Sequence, residues 1–236
     1  AMSRSGLYGP ARLCTGIFST ADLRLGDRAE DILTAHLQAS SNFRGIRSAV
    51  PADLNETFLT GFSLLEKYNL AYDNWSPDFT RLPRLADLAN KNPGVTVIVN
   101  HLGGKIDPSA DEEELSVWRE AIDSVAACSN TVMKLGGAQM RVGDWEPPYH
   151  MHKADSPWDS DKFLSTLLPR YQYAFEKFGP DRCMFESNFP VDKDCISYRT
   201  LWNLFKKMAT KLGLSESEKM SVFSGTAARA YRLDQP

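Results

Sequence analysis

Six short apolar runs, each of strand length and separated by longer stretches, most of them with helical periodicity, constrain this chain more than any other feature. They span Leu13–Phe18, Phe43–Arg47, Leu70–Asp73, Val95–Val99, Thr131–Leu135 and Arg182–Glu186. Their starts lie about 25–50 residues apart, the length that a strand, a crossover helix and two loops occupy. Between them, Asp31–Ser40 sets Ile32, Leu33, His36 and Leu37 at helical spacing. Asn55–Tyr68 does the same with Phe58, Phe62 and Leu65, and Asp111–Cys128 with Leu115, Trp118, Ile122 and Val125. Phe163–Phe178 is helical on both sides of Pro169, which is expected to kink or split it. Ser215-Glu216-Ser217-Glu218 has the form of a capping box opening a last helix. Alternation of this kind predicts an α/β fold with a parallel sheet, either doubly wound or a (β/α) barrel. No linker, low-complexity segment or repeat divides residues 1–236, so one domain is expected.

Composition removes several function classes. Lys and Arg number 27 against 30 Asp and Glu, a net charge of −3, and there is no long basic block. Neither nucleic acid nor an anionic membrane surface suits such a chain. No apolar run reaches the roughly 20 residues of a membrane span. Cys14, Cys128, Cys183 and Cys195 form no CxxC pair and read as reduced, mostly buried thiols of a cytoplasmic protein. Dinucleotide (GxGxxG), P-loop (GxxxxGK[ST]) and serine-hydrolase (GxSxG) signatures are all missing from the sequence. Ala1 precedes Met2, which marks either an added residue or a piece of a longer chain.

In parallel α/β folds, ligands meet the carboxyl ends of the strands. The run Val95–Val99 ends in Asn100-His101-Leu102-Gly103-Gly104. A His so placed can ligate metal, polarise a carbonyl or move a proton, or it can serve structure alone. Arg182–Glu186 leads into Ser187, Asn188 and Asp192, where a carboxylate can act as general base for water or simply cap the next helix. Arg44 and Arg47 fall on opposite faces of one strand, so one can point into the mouth as a carboxylate clamp. Lys134 is a charge in an apolar strand and needs a partner, for which Asp73 is a candidate. His150-Met151-His152 resembles a metal motif, but it follows Glu146-Pro147-Pro148-Tyr149 in a loop, where a rim or substrate contact is the stronger reading. His36 reads as structural.

Taken in order, FRGIR, VNHLGG, VMKLGG, RCMFESNFPVD and SGTAARAYRL resemble the amidohydrolase-related (amidohydrolase-2) family, with its lactonase branch nearest. The resemblance runs from Cys14 to Leu233, and RCMFESNFPVD is its most specific piece. It implies a TIM-barrel-like (β/α)8 fold and hydrolysis of a lactone or similar cyclic ester bearing a carboxylate, with decarboxylases as relatives. It implies that His101 polarises the carbonyl or ligates metal, and that Arg44 or Arg47 holds a substrate carboxylate. The cofactor is then none or one divalent, zinc-type metal, for which His101 is the residue to expect as ligand.

Two departures qualify that expectation. Asn188 stands where many members have an Asp that activates water, so Asp192, or water held by Asn188, would deliver the nucleophile. The family's opening strand carries His-x-His, and it and a second strand should precede Leu13, where only the dozen residues before it stand and none is His. The expectation is therefore an incomplete barrel, six strands of eight, with N-terminal strands missing. Asp73, Lys134 and His152 complete the expected substrate site. The competing reading is a catalytically inactive truncated paralogue or fragment, and a third is a decarboxylase. A small carboxylated molecule is the expected partner, and open sheet edges suggest homo-oligomers.

Overall fold

In the computed structural model, residue 9 and residues 14–107, 110–138 and 158–233 are described. The strands are β1 (Ile17–Ser19), β2 (Phe43–Ser48), β3 (Ala71–Asn74), β4 (Val97–Val99), β5 (Thr131–Leu135) and β6 (Cys183–Phe185). All pair in parallel, and their spatial order is their chain order, β1 through β6. A doubly wound sheet reverses its strand order at a switch point, whereas a barrel wall does not. This sheet is therefore a barrel wall. Among the described residues it carries six strands where a closed barrel has eight, and β1 does not pair with β6.

The helices are α1 (Ala29–Ala39), α2 (Glu56–Lys67), α3 (Leu82–Lys91), α4 (Glu112–Ala126), α5 (Ser160–Phe178), α6 (Tyr198–Lys211), α7 (Glu216–Met220) and α8 (Thr226–Ala230). Asn55, Asp111, Asp159 and Ser197 each cap a helix start by accepting a backbone N–H. The acidic first turn of α4 complements its dipole, and the capping box of Ser215 and Glu218 opens α7 as expected. Three of these helices, α3, α6 and α8, lie outside the sequence reading, although Leu82, Leu85, Ala86 and Ala89 form a regular buried stripe on α3. Pro169 neither splits α5 nor ends it. Leu167, Arg170 and Tyr171 are buried on either side of it, and that packing outweighs one lost backbone bond.

Strand pleating divides the apolar residues into two sets. Outward-facing Ile46, Tyr72, Val97, Val99, Met133, Cys183 and Phe185 join the helices in the main core. Inward-facing Ala71, Ile98, Val132 and Met184 pack with Phe18 of β1 and with Ala227, Ala230 and Tyr231 from the end of the chain. That last segment crosses from the foot of β6 to β1 and β2. Arg229 donates to the Asp181 carbonyl at 2.7 Å, Arg232 donates to the Arg44 carbonyl at 3.2 Å, and the Tyr231 ring meets Phe18 edge-on at 5.3 Å. Cys128, Cys183 and Cys195 are buried thiols and Cys14 is an exposed one. No helix among the described residues is long and apolar enough to cross a membrane.

Candidate active site

Because every strand points the same way, the residues that end them share one rim. At the end of β4 the chain turns through His101 (φ 51°), Leu102 (φ 56°), Gly103 (φ 84°) and Gly104 (φ 148°). A β-carbon makes positive φ costly, by about 1–3 kcal/mol for a residue held there. The turn persists because Leu102 is buried and its carbonyl accepts the Trp118 indole N–H at 3.0 Å, while Gly104 N–H closes onto the His101 carbonyl at 3.2 Å. The result aims the His101 ring across the rim, where Trp75 contacts it edge-on at 4.6 Å.

His101 Nδ1 is bonded to Glu186 Oε1. These residues close β4 and β6, and β5 lies between them. The contact is possible because β5 ends in Gly136 and Gly137. A β-carbon on Gly137 would overlap the His101 ring, and one on Gly136 would overlap Glu186. Only glycines let both side chains pass over that strand end.

From Glu186 a chain of charges runs back along the rim. Lys134 Nζ lies 3.8 Å from Glu186 and 2.9 Å from Asp73. Asp73 accepts Arg47 Nε at 2.9 Å and Arg47 Nη2 at 3.4 Å, and it accepts the Asn100 amide as well. Arg47 Nη2 also reaches Asn100 Oδ1 at 3.3 Å. The inward register explains the set: Arg47 is directly opposite Asp73, and Lys134 stands on the same face two residues beyond Val132. Burial by itself would push both carboxyls up. The charges of Lys134 and Arg47 hold Asp73 below the usual carboxylate range, and the pairing with His101 together with the Lys134 charge does the same for Glu186. Burial would likewise lower the Lys134 ammonium, but Glu186, Tyr231 and Asp73 hold it above the ordinary lysine range. Asp73 and Lys134 are almost wholly buried, whereas the Arg47 side chain is 43% exposed and is the cation that faces solvent.

The sequence-derived candidates separate accordingly. His101, Arg47, Asp73 and Lys134 are brought together, and Asp73 is the partner that Lys134 needed. Asn188 (φ 50°) follows Glu186 by at most about 7 Å of chain. Its amide donates to Asp192 Oδ1 at 2.7 Å, and Asp192 is fully buried. Arg44 is not brought to this rim. A register shift between Ile17 and Phe18 makes Arg44 the extra residue of β2, and its guanidinium turns to the Ser41 and Phe43 carbonyls at the other end of the strand. The simple two-face alternation expected for the arginines fails at that bulge. His150 and His152 lie outside the described residues. His36 contacts the Thr20 carbonyl at 3.1 Å and packs on Phe43, a structural role as read. Trp75 and Tyr231 were not singled out from the sequence. Glu186 was noted there only as one of several polar residues.

The described residues do not fit a divalent metal. Asp73 and Glu186 already share an ammonium, and a second cation between them would meet Lys134 and Arg47 at close range. Among the described residues no three His, Cys, Asp or Glu side chains form a ligating group.

Comparison with known proteins identifies the family of the chain. A family model described as amidohydrolase matches residues 8–233. An uncharacterized protein of Sinorhizobium fredii, y4mH, is 34% identical over 232 residues, covering 92% of this chain and 70% of that one. An L-fucono-1,5-lactonase of Burkholderia multivorans is 28% identical over 181 residues, covering 76% of this chain and 57% of its own length. A crystal structure of an amidohydrolase from Burkholderia multivorans with bound zinc superposes with a TM-score of 0.74 at 24% identity, over 93% of this chain and 74% of that one. The resemblance read from the sequence motifs is thus correct.

Proposed function

The chain belongs to the amidohydrolase family, and on that premise we propose that it hydrolyses a lactone or related cyclic ester that bears a carboxylate. One observation carries the reading: His101 is paired with a carboxylate at the rim where the one solvent-facing cation of the same ion chain, Arg47, also stands. The lactonase relative supports the bond class.

With Nδ1–H donated to Glu186, the neutral imidazole carries its lone pair on Nε2. That nitrogen takes a proton from water as the water oxygen bonds to the lactone carbonyl carbon. It returns the proton to the ring oxygen as the C–O bond opens. Glu186 fixes the tautomer and stabilises the imidazolium that forms, as a carboxylate behind a catalytic His does. Arg47 receives the substrate carboxylate beside Asp73. This recasts His101 from the group that polarises the carbonyl to the group that moves the proton, while Asn188, two residues beyond Glu186, is held by Asp192. No step is routed through a metal, because the charge between the carboxylates is the Lys134 ammonium.

The test is acid release, followed by pH-stat, on a panel of five- and six-membered lactones with and without a carboxylate. Turnover that prefers the carboxylated members and falls about 100-fold or more in His101→Asn supports the reading, the usual span for losing a general base. Carbon dioxide release from carboxylated aromatics without lactone opening would make the chain a decarboxylase. No turnover of either class would leave the non-catalytic reading.

A further inference from the structure

The open arc has an occupant on its inner face, and it comes from the end of the chain. Tyr231 follows α8 and enters between the two edges of the sheet. Its ring meets Phe18 of β1 at 5.3 Å and an interplanar angle of 76°. It packs with the inward-facing Ala71, Ile98 and Met184. Its other side is turned to Lys134, whose ammonium stands 5.6 Å from the ring centroid. An ammonium within about 6 Å of an aromatic face is attracted by the ring quadrupole, and more strongly where water is excluded. Lys134 thus has three neighbours: Asp73 at 2.9 Å, Glu186 at 3.8 Å, and the Tyr231 ring.

These neighbours pull unequally. Asp73 is closer than Glu186 and draws the ammonium toward β3, while the catalytic pairing of Glu186 with His101 gains from Lys134 staying near β6. A ring face beneath the ammonium restrains it without consuming either carboxylate. We propose that Tyr231 is a positioning residue, whose ring face holds the Lys134 ammonium between Asp73 and Glu186. Through Lys134 it sets the charge that Glu186 presents to His101. Burial raises the Tyr231 hydroxyl to about 12, so the ring is presented neutral across the working pH range. The hydroxyl also lies within reach of Lys134, but the hold is assigned to the ring face rather than to that hydroxyl. Tyr231→Phe therefore keeps it, and fluorination of that Phe weakens it while conserving shape.

The experiment replaces Tyr231 with Phe and then with mono-, di- and trifluorinated phenylalanine in the full chain. Two quantities are read: kcat/KM on a carboxylated lactone, and the solvent-exchange protection of the Lys134 ammonium protons by nitrogen-15 NMR, assigned with Lys134→Met. Only the kinetic arm rests on the hydrolase reading. The expectation is Phe close to the parent chain, then a graded loss of protection with fluorine number and a parallel fall in kcat/KM of about tenfold over the series, as a weakened cation–π contact gives. Graded protection without lactone turnover would support the positioning role and overturn the hydrolase reading. Protection that is flat across the series would overturn the proposal whatever the activity, because packing alone does not follow fluorine number. A Phe variant as impaired as the trifluorinated one would assign the effect to the hydroxyl and overturn it as well.

Discussion

Gly137 lies directly beneath the His101 ring, so close that a β-carbon in its place would overlap Nδ1 and Cγ of the imidazole. The same glycine has φ 69°, so an alanine there meets both a clash and a strained backbone. Gly213 also has φ 69°, but nothing stands within 4 Å of its missing β-carbon. The pair separates the two effects. Gly213→Ala should cost about 1 kcal/mol in chemical denaturation and leave activity alone. Gly137→Ala should cost about 1–3 kcal/mol more, as overpacking does, and abolish turnover by displacing His101. Equal losses in the two variants would show that His101 does not depend on the gap.

Asp73 and Glu186 give the fold an acid-sensitive element. Both are held below the usual carboxylate range in the folded chain, against the effect of burial, by Lys134 with Arg47 or His101. A depressed folded value means the stabilisation is complete above the unfolded value and is lost as pH falls through the folded one. Stability measured by urea unfolding should therefore decline from about pH 5 downward. Asp73→Asn should be less stable at pH 7 and show a shallower decline. An unchanged slope in that variant would place the acid sensitivity elsewhere.

Lys134→Met removes the cation from between two carboxylates and leaves Asp73 buried with less compensation. Breaking a buried pair by removing one partner costs about 3–5 kcal/mol, and the midpoint of denaturation should fall accordingly. A loss below about 1 kcal/mol, the range of exposed pairs, would mean that water reaches this cluster in solution.

The rim geometry also predicts metal content. Because Lys134 stands 2.9 Å from Asp73 and 3.8 Å from Glu186, a divalent ion would have to displace an ammonium. Elemental analysis of protein purified without added metal should give well under one equivalent of zinc. A stoichiometric zinc that is lost in His101→Ala would contradict the charge argument, and would bring in ligands beyond the described residues.

Much of this arrangement is legible along the chain, and the limits have physical causes. All six strands lie where apolar runs of strand length stand, and a parallel sheet puts Arg47, Asp73, His101 and Lys134 at one end without further information. The observed strands are shorter at some ends, as for β4 (Val97–Val99), because apolar character begins before the first paired residue. Contacts across the sheet are a different matter. His101 and Glu186 are 85 residues apart, and nothing in either segment specifies that they meet over Gly136 and Gly137. Arg44 shows how a local irregularity defeats period-two reasoning, since one extra residue in β2 undoes the alternation. Tyr231 was hidden for a third reason. Its segment enters the sequence reading only as part of the motif SGTAARAYRL, and only the open arc gives its ring a place on the inner face.

Arg47 offers the sharpest test of the substrate class. Its guanidinium is anchored to Asp73 by Nε and Nη2, yet the side chain is 43% exposed, so it can take a second carboxylate from solvent. Arg47→Lys keeps a charge but loses the planar fork that fits a carboxylate, and is not a conservative change at such a site. A hydrogen bond to a charged group is worth about 1.5–3 kcal/mol, which corresponds to a rise in KM of roughly 10- to 150-fold for a carboxylated lactone. The change in kcat should be small, because Arg47 binds a part of the substrate that does not react. The uncharged methyl ester of the same lactone provides the control. Its KM should be high in the parent chain and nearly unmoved by the substitution. If Arg47→Lys raised both values of KM alike, the effect would come from a disturbed rim through Asp73, and the carboxylate would have to be recognised elsewhere.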